Sequence, residues 1–381
     1  MRSGRLSDNA RAALIGVGGT LAAVLVWGGL HSGKPTEPLD AVPKDAFLVA
    51  TMNLTELRQS PIYDVILGKD ALPLTKGLGM GKLADACGFD PLSRVEKLAV
   101  AVPEEGDKGE LGVAARVNVN RDELEKCTEA MADQRGGKVE TREAFGFVIV
   151  EDGSGGGVAK PRLAFGHGNI LVVGRGAWFD AMLSAADGKS PGLADAREHV
   201  ALRTSLTRHE GWHSPTLLVT ALLPRALRER IKNEMGAEIG SQDTSNMIMA
   251  GVLGVSAVGL AINAGGSGKR VEAAVELVCD DAAECGAVEK LIQKKRLDLS
   301  KELGIRMIGF GPLIDSLESK QDGARIRMTA GTSSDGLAAT IERVLKLRGR
   351  REPAPNEPPA KLEKRPVPDE TLSSKDGGAP H

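Results

Sequence analysis

Histidine is scarce, with six residues, and aromatic side chains make up only 3% of the chain. So few rings leave no platform on which bases can stack. Neither sign of charge is in excess: 49 Lys and Arg stand against 51 Asp and Glu. A phosphate backbone needs a basic surplus to displace its counterions, so nucleic-acid binding has no electrostatic basis here. No cysteine precedes Cys87, which excludes a lipid-modified cysteine near the N-terminus. No G-x-G-x-x-G opens a helix after a strand, and no G-x-S-x-G occurs. The stretch GLGMGKL (77–83) fails as a phosphate loop, because Lys76 and Leu83 stand where Gly and Ser or Thr are needed.

What is there fits a folded body. Over 381 residues, 41% are apolar and 26% charged, enough for one large domain or two. Residues 12–30 form an uncharged run, ALIGVGGTLAAVLVWGGL within it, preceded by Arg2, Arg5 and Arg11. That length just spans a hydrocarbon core of about 30 Å. The arginines hold the N-terminus in the cytoplasm and send the rest across. No A-x-A site follows, so the segment is expected to stay as an anchor rather than leave as a signal peptide. A linker with three prolines covers 32–45. After Gly349 the composition changes again: residues 350–381 hold seven prolines, with six acidic and six basic residues. Such a tail cannot bury enough apolar surface to fold alone.

Between these ends the chain matches itself. AFLVATMNLTELRQSPIYDVI (46–66) and TLLVTALLPRALRERI (216–231) are each a strand and then a helix. At an offset of 170, Leu48, Val49, Leu57 and Arg58 meet Leu218, Val219, Leu227 and Arg228. At 158, Cys127 meets Cys285, and Val113, Ala115 and Val117 meet Val271, Ala273 and Val275. KLAVAVP (97–103) and VGLAINA (258–264) alternate as strands; NILVVGRGAWFDAMLSAA and ARIRMTAGTSSDGLAATIERVL close each copy. Period-2 runs alternating with amphipathic helices predict an α+β fold. The expected form is two tandem copies of an antiparallel-sheet-plus-helix unit, 46–191 and 214–349, joined by a connector at 192–213 behind an anchor ending at 31. The opening VPKDAFLVATMNLTELRQSP, with duplicated units behind an anchor, resembles uncharacterised membrane-anchored envelope proteins of the myxobacterial kind. That resemblance implies a location and carries no activity.

One motif carries chemistry. HEGWH (209–213) matches the H-E-x-x-H of zinc proteases, in which two histidines one turn apart bind the metal and the glutamate works on its water. His209, Glu210 and His213 would need an unbroken helix. DAREHVALRTSLTRHE predicts a helix with Val200 and Leu206 on its apolar stripe, but Gly211 and Pro215 end it. We therefore expect a loop in which Trp212 packs the connector on the body, and no metal or cofactor. Asp280 and Asp281 read as a helix start. Four cysteines allow three connectivities. Cys279 and Cys285, separated by a short acidic turn, are expected to pair if the body is exported, leaving Cys87 with Cys127; buried free thiols are the alternative.

The expectation is a non-enzymatic, single-pass protein of a bacterial cytoplasmic membrane. Its body would lie in the periplasm and bind another envelope component. A zinc hydrolase working through HEGWH, and a protein that binds a small apolar ligand between the copies, are the rivals.

Overall fold

Each alternating run becomes a strand. In the computed structural model KLAVAVP lies in β2 (Val95–Pro103), GVAARV forms β3 (Gly112–Val117), and VGLAIN lies in β9 (Val255–Asn263) beside β10 (Arg270–Cys279). The remaining strands are β1 (Ala46–Asn53), β4 (Val139–Ala144), β5 (Phe147–Asp152), β6 (Arg162–Phe165), β7 (Ile170–Gly174), β8 (Leu217–Leu222), β11 (Glu318–Asp322) and β12 (Arg325–Ser333). The described residues are 35–67, 80–104, 110–134, 137–153, 160–208, 212, 214–238, 253–264 and 269–349. The anchor at 12–30, the tail at 350–381, and His209, Glu210 and His213 lie outside them. No described helix is long and apolar enough to cross a membrane.

Helices follow the strands: α1 (Leu54–Leu57) and α2 (Pro61–Leu67) after β1, then α3 (Met80–Cys87) and α4 (Pro91–Arg94). Next come α5 (Arg121–Gln134), α6 (Gly176–Ala186), α7 (Arg197–Thr207), α8 (Arg225–Glu238) and α9 (Ala282–Lys301). The last are α10 (Leu303–Ile308), α11 (Gly311–Asp315) and α12 (Ser334–Gly349). Local chemistry sets several starts. The Asn53 side chain accepts from Glu56 N at the start of α1, and Asp281 Oδ1 accepts from Ala283 N and Glu284 N at 2.8 Å to start α9. Asp280, expected to help that start, instead pairs with Arg228.

All strands join one twelve-stranded sheet in the order β11-β12-β10-β9-β8-β1-β2-β3-β7-β6-β5-β4, each pair antiparallel. The centre is the pairing of β1 with β8, Val49 opposite Thr220 and Thr51 opposite Leu218. Outward from this seam the order is alike on both sides: β1-β2-β3-β7-β6 and β8-β9-β10-β12-β11. The likeness reaches side chains. Arg58 donates to the carbonyls of Leu92 and Val95 where β2 begins. Arg228, its match at offset 170, donates to Leu253 O where β9 begins.

Faces break the likeness. Val49 packs with Ala99 and Ala101 on one face of the sheet. Its direct partner Thr220 shares that face, so Val219 points to the other. Strand residues matched at an offset of 170 therefore lie on opposite faces of the sheet, one step out of register with each other. The closing helices also part. α6 buries Trp178, Phe179, Met182 and Leu183 on the Val49 face. α12 packs Ala338 and Ile341 on the opposite face, with Leu54, Ile62 and Val271. α5 and α9 share that second face.

α7 lies on the first face, over β8, β9 and β10. It buries Leu202 and Leu206, and a Cβ on Gly259 would stand 2.5 Å from Leu206 and 2.9 Å from Leu202. Val200, expected on this stripe, is 39% exposed. Six residues at 100° each turn Val200 well away from Leu206, whereas Leu202 and Leu206, four apart, stay aligned. Cys87 is bonded to Cys127, and Cys279 to Cys285, with Cα atoms 5.5 Å apart in the second pair.

Candidate functional site at the strand seam

α7 carries polar groups to the seam. His199 and Arg203 are one turn apart and share a face. The His199 ring is fully buried, Nε2 2.8 Å from Ala46 O and Nδ1 2.8 Å from Thr220 Oγ1. A carbonyl only accepts, so Nε2 carries the proton and Nδ1 accepts from the Thr220 hydroxyl. The neutral imidazole is thus satisfied at both nitrogens and ties α7 to β1 and β8. Burial, more than the nearby Arg203 charge, holds its pKa below the usual 6.5.

Arg203 is less well served. Nη2 donates to Thr51 Oγ1 at 2.6 Å, and the Thr51 hydroxyl in turn donates to Leu218 O across the seam. Nη1 is buried with no acceptor among the described residues. Burial pushes this guanidinium down to about 10, below the ordinary arginine range. Arg203 lines a cleft of about 630 Å³ between α7, the end of α6 and the 3-10 turns Pro38–Ala41 and Leu193–Asp195.

Further along α7, Ser205 donates to Glu276 Oε2 at 2.5 Å. Glu276 is 2% exposed on β10 and also pairs with Arg325. This pair borders a second, polar cleft of about 620 Å³ over β10, β12 and β11, with Lys320, Arg327 and Thr329. It lies on the face that α6 fills in the other half with aromatic side chains.

Of HEGWH only Trp212 is described. It is buried and donates from Nε1 to Glu272 at 2.7 Å, which ties the connector to β10. Among the described residues no group of three or more His, Cys, Asp or Glu side chains is placed to hold a metal. Sequence reasoning missed His199, Arg203 and Glu276. The available signal was a His and an Arg at i and i+4 in REHVALRTSLT, but only packing shows which helix face is buried.

No family model matches the chain, and no curated protein is similar to it. The chain is similar to TP0453 in two of its crystal forms. Against crystal form III the identity is 12%, the TM-score 0.44, and 80% of this chain and 98% of that one are covered. Against crystal form I the identity is 12%, the TM-score 0.41, and the coverage 81% and 97%. A likeness at that level carries no functional inference.

Proposed function

We propose that the chain is a non-enzymatic, single-pass envelope protein. Residues 12–30 anchor it with the N-terminus inside, and a duplicated α+β body on the periplasmic side binds another envelope component. The observation that carries this reading is the pairing of all four cysteines, two in each half of the chain. Disulfides persist in an oxidising compartment and are rare in the cytosol. The arginines before the apolar run supply the matching topology signal. The shared strand order and the equivalent work of Arg58 and Arg228 support duplication, with the closing helix diverged to opposite faces.

Alkaline phosphatase fused after residue 349 tests the location, because it is active only when exported. The fusion is expected to be active, and non-reducing peptide mapping of envelope protein is expected to find Cys279 joined to Cys285 and Cys87 to Cys127. A well-expressed but inactive fusion, with all four thiols alkylatable, would overturn the reading. Zinc content separates the hydrolase rival: stoichiometric zinc lost on His213→Ala would favour catalysis by HEGWH.

A further inference from the structure

The cleft between α6 and α7 holds an unbalanced charge. The Arg203 guanidinium is largely buried, its one bonded acceptor among the described residues is the Thr51 hydroxyl, and Nη1 has none. A buried cation without a counter-ion costs far more than a missing hydrogen bond between neutral groups. Carboxylates are close by but engaged elsewhere. Asp40 accepts from the backbone of Thr36 and Glu37. Asp187 pairs with Lys189, and Asp195 accepts from Gly192 N. All three are exposed at the rim, and none forms an ion pair with Arg203. Beside them the walls are apolar, with Leu39 and the exposed Val200.

We infer that this cleft binds a small ligand through a singly charged oxyanion, with Arg203 as the anchor and Leu39 and Val200 against the ligand's apolar part. A guanidinium presents a planar fork that matches two oxygens of a carboxylate or phosphate. Nη1 is buried, so binding requires the guanidinium to turn about its terminal torsions and exchange its Thr51 hydrogen bond for the ligand. The acidic rim repels an anion in proportion to its charge, so it opposes a monoanion less than a polyanion. A volume of about 630 Å³ admits a small organic acid or phosphodiester. The inference does not rest on the envelope location: the purified chain answers it wherever the protein resides.

The probes are butyrate, hexanoate and dimethyl phosphate, added to the full-length chain while the melting temperature and the Arg203 side-chain NMR signals are followed. Wild type is expected to respond to at least one, and carboxylate against phosphodiester identifies the source. A stronger response to hexanoate than to butyrate would support the apolar wall. Arg203→Met is expected to abolish the response and to melt, without ligand, at or above the wild-type temperature, because an unpaired charge has gone. A purely structural arginine gives the opposite result: a lower melting temperature with the probe response intact. Arg203→Lys, which keeps the charge without the fork, is expected to bind roughly tenfold more weakly. No response of wild type to any probe, or equal affinity in Arg203→Lys, would overturn the inference.

Discussion

The two sides of the seam share a strand order and differ in what covers them. On the β1 side, α6 lays Trp178, Phe179 and Met182 on the sheet, and Trp178 Nε1 donates to Ala101 O at 3.1 Å. On the β8 side the closing helix, α12, lies on the other face beside α2. Its place is left to α7 and to a polar surface around Glu276 and Arg325. Strand order is a property of backbone pairing, which any alternating sequence satisfies. The face a closing helix takes depends on which apolar side chains it offers and what already occupies the sheet. One half therefore closes as an aromatic core, while the other keeps buried polar groups and open clefts.

Three measurements break or sharpen this contrast. The largest effect is expected in the closing helices. Phe179→Ala should cost about 3–5 kcal/mol in chemical denaturation, because Phe179 is fully buried. Ile341→Ala in α12 should cost only about 1–2 kcal/mol, since that side chain is part-buried. Equal costs would mean that the helices do equivalent work despite lying on opposite faces.

The disulfides come next. Cys87 and Cys127 are 40 residues apart, Cys279 and Cys285 only 6. Loop-closure entropy then gives about 4 kcal/mol for the first and about 2 kcal/mol for the second. Paired serine variants, compared by urea unfolding, should keep that order.

The smallest effect belongs to the seam itself. His199 is held neutral, its pKa below 6.5 mainly through burial. The unfolded chain therefore takes up this proton first. The stability from His199 is fully present above pH 6.5 and is lost as pH falls through that value towards the lower folded one. Unfolding followed from about pH 7 to 5 should show wild type losing more stability than His199→Gln. Parallel curves for the two proteins would mean that other groups carry the acid dependence.

The sequence by itself determined the local pieces. Period-2 alternation placed β2, β3, β9 and β10, and Asp281 marked the start of α9. Trp212 read as an anchor for the connector, and it is buried on β10. These are legible because each signal lies within one turn or one strand. Tertiary structure alone decided the rest. Thr51 meets Leu218 across 167 residues, and no local pattern announces that the two halves join edge to edge. The same pairing sets Val49 and Val219 on opposite faces, and the packing of α7 on the sheet buries its His199 and turns its Val200 outward. Burial is decided by what packs on a side chain, and those partners are distant in sequence.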